Sequence, residues 1–240
     1  MTVAALYVDP GGVYANRDDV DVWAKDRDAR TYAGPWPVVA HPPCQLWTNM
    51  AAVNWVRYGR ECPAWYPGGD DGGCFASALA AVRRWGGVLE HPASTHAWAA
   101  HGLPRPPRDG WQVILSAGPM VEAVCEVAQV AYGHKARKRT WLFYAGIVAP
   151  LPFLTDSPRS THQIGWYNSA PTRKPSLTKR AASATPASFA AWLCEVAALA
   201  TDSLNSPARP TDAGVCSSSA PSATCPASPP PSRSCGSSAQ

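Results

Sequence analysis

Short apolar runs, each halted by a polar or proline-containing turn, organise the first ninety residues. Val3 to Val8 is followed by Asp9-Pro10-Gly11-Gly12, which predicts a buried strand and then a turn. Val20 to Trp23 predicts a second short strand. Trp36 to Ala40 predicts a third, and it stops at His41-Pro42-Pro43-Cys44. Gly72-Gly73 precedes an alanine-rich helix over 74–85, with Gly86-Gly87 just past its end. Val88-Leu89 then reads as a strand that breaks at Glu90-His91-Pro92. Strand, helix and strand in that order predict parallel neighbours joined by a crossover. Further on, 124–132 and 138–146 are rich in β-formers and flank Gly133-His134-Lys135-Ala136-Arg137, two strands joined by a basic turn. Thr185-Pro186 opens a closing amphipathic helix that runs to Leu199. The pattern as a whole is α/β, with a mostly parallel sheet and one antiparallel hairpin.

Composition changes this picture at one end. From about Asn205 onward Ser, Pro, Ala and Gly dominate, and such a stretch buries too little apolar surface to offset its ordering entropy. The expectation is a compact domain over 1–204 and a disordered tail over 205–240, whose three cysteines are incidental. Hydrophobic residues make up 46% of the 240, enough for a real core. The tryptophans Trp85, Trp98, Trp111, Trp141 and Trp192 are read as part of it. The net charge of +4 permits an anionic partner without requiring one. No apolar run reaches the roughly 18 residues that span a bilayer, and Met1 to Asp9 lacks the basic and apolar regions of a signal peptide. The expectation is a soluble cytoplasmic protein with no membrane partner. Eight cysteines contain no CxxC pair. A zinc site built from His41, Cys44, Cys62 and Cys74 would match none of the usual paired-ligand spacings.

Chemistry gathers where strands end. Ligands of open parallel sheets bind outside the carboxyl ends of the strands. One predicted strand delivers Cys44 to that edge and the next delivers Glu90, and the 74–85 helix is a crossover long enough to make the two strands parallel neighbours. The Pro-Pro before Cys44 and Gln45 after it favour exposure, so Cys44 is the candidate nucleophile. The segment from Trp47 through Asn49, Trp55, Arg57, Tyr58, Arg60, Trp65 and Tyr66 mixes aromatic and basic groups. It suits a lid that stacks on bases and pairs with phosphates. Arg173, Lys174, Lys179 and Arg180 form a second basic stretch.

Pro43-Cys44-Gln45 resembles the Pro-Cys-Gln motif of DNA cytosine-5 methyltransferases, and Leu89-Glu90-His91-Pro92 follows where their Glu-Asn-Val motif would stand. Gly133 to Arg139 resembles their Gly-x-Pro-Gln-x-Arg-x-Arg segment, with Arg137 and Arg139 on its two arginines and Lys135 where the family has glutamine. The three segments occur in the family's order. The resemblance implies a Rossmann-like sheet of the S-adenosylmethionine-dependent methyltransferase type. Its N-terminal cofactor half is abbreviated, because too few residues separate Val8 from Val20 for a crossover helix. It implies catalysis by Cys44, Glu90, Arg137 and Arg139. Cys44 would attack C6 of the pyrimidine, and Glu90 would bind N3 and the exocyclic amine. Arg137 would take the base carbonyl, and Arg139 a phosphate or a structural carboxylate. It implies S-adenosylmethionine as cofactor, held by Asp9, Gly11, Gly12, Asp26 and Pro42. DNA would be the partner, with the target base flipped out of the duplex. Only about thirty residues stand where a recognition domain would be, which fits a compact phage or mobile-element type. Two other readings keep part of the motif: addition of another one-carbon group at pyrimidine C5, and a non-catalytic DNA-binding module derived from the family.

Overall fold

The computed structural model describes residues 1–48, 50–56, 71–117, 120–155, 158–164 and 174–201. In chain order the described strands are β1 (Val3–Leu6), β2 (Val20–Trp23), β3 (Val38–Ala40), β4 (Gly87–Pro92), β5 (Gln112–Ala117), β6 (Met120–Ala128) and β7 (Arg139–Gly146). The helices are α1 (Met50–Asn54), α2 (Cys74–Trp85), α3 (His96–Ala100), α4 (Lys179–Ser183) and α5 (Ala187–Leu199). Short 3-10 turns cover Ala29–Thr31 and Gln129–Tyr132.

One seven-stranded sheet runs in the order β2-β1-β3-β4-β7-β6-β5. The pairs β1–β2, β1–β3 and β3–β4 are parallel, and β4–β7, β7–β6 and β6–β5 are antiparallel. The α/β class therefore holds, and so does the hairpin that joins β6 to β7. The expected mostly parallel sheet is corrected to a mixed one whose antiparallel half has the longer strands. The reason is connection length: β5, β6 and β7 follow one another through links too short for a crossover, and short links turn strands back on themselves. Neither β5 nor α3 carries a pattern that marked it in the sequence. The first parallel crossover, between β1 and β2, consists of turns and has no helix.

Successive residues of β1 serve opposite layers, as the two-residue period requires. Ala4 and Leu6 pack with Val38, Ala40, Leu89 and Phe143 under Phe75, Ala78, Leu79 and Val82 of α2. Val3 and Ala5 pack with Val39, Val88, Leu142 and Tyr144 under Phe189, Leu193, Val196 and Ala197 of α5. Both faces of the central strands are thus covered, which is why they read as unbroken apolar runs.

Helix α2 starts where the Asp71 carboxylate accepts the Phe75 N–H at 3.0 Å, and Arg83 and Arg84 in its last turn complement its dipole. Gly86 leaves the helix at φ +74° and Gly87 enters β4 at φ +121°. A side chain on Gly87 would overlap the backbone of Val38, its register partner. Strand β4 continues through Glu90 and His91 to Pro92, so the predicted break at Glu90 becomes the middle of a strand. The predicted tail over 205–240 lies outside the described residues.

Candidate functional site

Strand order places a switch point between β1 and β3. From β1 the chain turns to β2 on one side, while β3 and β4 extend the sheet on the other. The loop after β1 carries Tyr14 into the α5 layer, and the loop after β3 carries Trp47 into the α2 layer. Loops that leave neighbouring strand ends toward opposite faces open the sheet edge between them, and open α/β sheets bind ligands there.

Cys44 follows β3, and Glu90 lies within β4, one residue past the last β3–β4 register pair, Ala40 with Leu89. Cys44 is half-buried. Burial and the Glu90 carboxylate push its thiol pKa up, while a backbone hydrogen bond and the Lys138 ammonium pull it down. Lys138 lies in the basic turn at φ +27° and donates to the carbonyls of Ser183 at 3.1 Å and Ala184 at 3.0 Å. Burial lowers its pKa, opposed by the charges of Glu90 and Cys44. The cation that acts on the thiol is therefore the residue between the two arginines singled out by sequence.

Glu90 is buried within a polar chain. His41 Nδ1 lies 3.0 Å from Glu90 Oε2, and Gln129 Nε2 donates to Glu90 Oε1 at 3.1 Å and to Thr140 Oγ1 at 2.8 Å. The Tyr14 hydroxyl lies 2.8 Å from His41 Nε2. Burial alone would raise the carboxyl, but the His41 hydrogen bond and the charges of His41, Lys138 and His91 outweigh it and bring Glu90 down to about 2. An ionised carboxylate only accepts, so His41 Nδ1 carries its proton toward Glu90. Desolvation keeps the Tyr14 phenol protonated to well above its usual range, within hydrogen-bond distance of the second ring nitrogen of His41. Both ring nitrogens of His41 thus have hydrogen-bond partners. Among the described residues no group of three or more His, Cys, Asp or Glu side chains is disposed to hold one, and Cys62 lies outside those residues.

His91, next along β4, is fully buried, with Nδ1 2.7 Å from Thr95 Oγ1 and the Phe75 ring edge-on at 5.2 Å. Burial pulls its imidazole down to about 4 against Glu90 and the Pro43 carbonyl.

The other predicted site residues divide. Arg139 is committed to Glu126, its Nε and Nη2 each 2.6 Å from a carboxylate oxygen. Glu126 also accepts from Trp141 Nε1 at 2.9 Å and pairs with Arg108 at 3.3 Å. Arg137 is exposed on the turn. Asp9 closes the turn after β1: its carboxylate accepts the Gly11 N–H at 3.0 Å and its carbonyl the Gly12 N–H at 2.9 Å. Pro42 is buried and Asp26 is exposed beyond β2. Trp47 does not belong to a surface lid. It is buried, with Nε1 donating to Asp71 at 2.9 Å. Asn49, Arg57, Tyr58, Arg60, Trp65, Tyr66 and Arg173 lie outside the described residues.

Tyr14, Gln129 and Lys138 were not singled out by sequence. A lone amide in the apolar stretch 124–132 was the available signal for Gln129, because a buried amide must find partners. Comparison with protein-family models returns no match for this chain, and neither does comparison with curated protein sequences.

Proposed function

We propose that this chain is a DNA pyrimidine C5-modifying enzyme, a cytosine-5 methyltransferase that uses S-adenosylmethionine on a flipped base. The observation that carries the reading is that Cys44, just after β3, and Glu90, on the adjacent parallel strand β4, share the electrostatic reach of one half-buried ammonium, Lys138. C5 of cytosine is a weak nucleophile until a thiolate adds at C6. Cys44 forms that S–C6 bond, and the ring's electron pair moves toward C5, with charge spread over N3 and the base carbonyl. Lys138 stabilises the thiolate before attack and faces the developing negative charge after it. The proton given up by the Cys44 thiol is taken up at N3, and Glu90, ionised, accepts from that N3–H and from the exocyclic amine. It therefore binds the adduct better than the ground-state base, whose N3 has no proton to give. After C5 is alkylated, its proton is lost to solvent and the S–C6 bond breaks with its electron pair returning to sulfur. The N3 proton goes back to the departing sulfur, which restores the Cys44 thiol.

The cofactor supplies an electrophilic methyl group when bound. The residues that would hold it are Asp9, Gly11 and Gly12 in the turn after β1, Pro42 after β3, and Asp26 after β2. An exposed tight turn and an acid at the ends of neighbouring strands suit a ligand with an amino-acid part and a ribose. The order β2-β1-β3-β4, with the hairpin beyond it, supports a methyltransferase-type Rossmann-like sheet. The helix-free crossover between β1 and β2 favours one second reading, in which Cys44 and Glu90 serve a different one-carbon donor at the same C5 position.

The test is transfer of label from S-adenosylmethionine to cytosine in DNA. Label is expected in the wild type and none with Cys44→Ser, while DNA containing 5-fluorocytosine traps the Cys44 adduct. A folded protein that binds DNA but neither binds the cofactor nor forms the adduct would overturn the enzyme reading and leave a DNA-binding module.

A further inference from the structure

Glu90 is gripped from behind by groups that the C5 chemistry does not consume. His41 at the end of β3 holds Oε2 at 3.0 Å, and Gln129 after β6 holds Oε1 at 3.1 Å. Each has its own support: Tyr14, from the loop after β1, at 2.8 Å from His41, and Thr140, on β7, at 2.8 Å from Gln129. Tyr14, Gln129 and Thr140 are all buried. Reversing the Gln129 amide would set its oxygen against the Glu90 carboxylate, so the donor orientation is fixed. Buried charge with this many partners is a weak source of stability compared with apolar packing of the same volume. What the arrangement does supply is orientation.

A carboxylate has about four lone-pair directions, two on each oxygen. The grip uses one on each oxygen and leaves one on each. We propose that Tyr14, His41 and Gln129 are positioning residues that lock the Glu90 carboxylate in one orientation and keep its two remaining lone pairs for adjacent N–H donors on the edge of a bound base. This rests on the pyrimidine-modifying reading. A carboxylate free to rotate would still bind a base, but it would lose the paired alignment that favours the adduct, and misplacement of this kind costs roughly tenfold to a hundredfold in rate.

The ionisable groups in reach of Glu90 are Tyr14 from the β1 loop, His41 and Cys44 from the β3 loop, His91 from its own strand, and Lys138 from the basic turn. Of these, His41 exerts the largest stabilising effect on the carboxylate. His41→Ala should therefore remove the largest compensation for the burial of Glu90 and raise its protonation midpoint. His41→Asn, which restores a donor to Oε2, should recover part of the difference. Tyr14→Phe deletes only a hydroxyl and guards against misfolding of the other variants.

Two measurements on the full chain decide the matter. The first is infrared titration of the carboxyl groups, with Glu90→Gln used to assign the Glu90 band. The second is the rate of adduct formation on a 5-fluorocytosine oligonucleotide beside its dissociation constant. In His41→Ala and Gln129→Met the adduct rate should fall roughly tenfold or more with oligonucleotide affinity little changed. Tyr14→Phe should show a smaller loss, and His41→Asn a partial rescue. Folded variants that react at the wild-type rate, or a Glu90 midpoint unmoved in His41→Ala, would overturn the proposal. If the wild type itself forms no adduct, the pyrimidine reading fails, and the infrared titration still decides whether His41 governs Glu90.

Discussion

The Cys44 sulfur has an anion on one side and a cation on the other, and they act on its proton in opposite senses. Glu90 disfavours the thiolate and Lys138 favours it, on top of the burial that raises the thiol pKa. Glu90→Gln should thus lower the pH at which Cys44 reacts with iodoacetamide, and Lys138→Met should raise it. Peptide mapping isolates Cys44 from the other cysteines. Midpoints that move in the same direction, or a Lys138→Met midpoint equal to the wild type, would remove Lys138 from the site. Methyl transfer should not follow alkylation: Glu90→Gln frees the thiolate but loses the acceptor for the adduct, so its turnover should fall although its thiol becomes more reactive. The raised thiol also has a chemical use. A thiol protonated at rest is less open to oxidation than a thiolate.

At the scale of elements, the antiparallel half of the sheet carries a charge cluster in which Arg139 meets a structural carboxylate, one of the two partners expected for it. Glu126 on β6 accepts from Arg139 and Trp141 on β7 and pairs with Arg108 before β5. Arg139→Ala should cost about 1–3 kcal/mol, because it strips two charge-assisted bonds from a buried carboxylate. Arg137→Ala, on an exposed residue, should stay within about 0.5 kcal/mol. Chemical denaturation distinguishes them, and equal losses would contradict the assignment. Gly87→Ala should be worse still, about 3 kcal/mol or more, since φ +121° and overlap with Val38 both oppose a side chain. The strands β1, β2 and β3 and the helices α2 and α5 were legible because each is a local pattern with its own stop signal. The antiparallel hairpin of β6 and β7 was legible too. Strand β5, which carries no such pattern, and the pairing of β7 with β4, which depends on which distant strand receives β7, were not. The site divides in the same way. Cys44 and Glu90 could be found because each interrupts an apolar run, Cys44 after β3 and Glu90 within β4. Tyr14, Gln129 and Lys138 could not, because their roles come from a turn, a 3-10 segment and a positive-φ residue that tertiary contacts alone bring together.

The whole molecule should be unusually sensitive to mild acid, and the cause sits beside the site. His91 is buried neutral, with its pKa lowered from an ordinary 6.5 to about 4. The unfolded chain takes up that proton once the pH falls below about 6.5, whereas the folded chain resists until about 4. Stability from this residue is therefore complete above the unfolded value and is lost as pH falls between the two. Glu90 acts lower on the scale. Its carboxyl is lowered from 4.5 to about 2, so its contribution is present above the unfolded value and fades only as pH falls toward 2. Between pH 7 and pH 5 the histidine dominates, and the loss should be on the order of 2 kcal/mol, from about 1.4 kcal/mol per pH unit over the interval below its unfolded pKa. Urea unfolding at the two pH values measures it. His91→Asn, which keeps a polar group near Thr95, should start less stable at pH 7 and show a flatter pH dependence in this range. An equally steep decline in that variant would assign the acid sensitivity elsewhere. His91 adjoins Glu90 on β4, and its ring packs against Phe75 of α2, so protonating it loosens the strand that carries the carboxylate together with the helix layer above it. Any adduct formation should accordingly fall with stability on acidification while Glu90 is still ionised, a loss that reflects the fold and precedes titration of the Glu90 carboxylate.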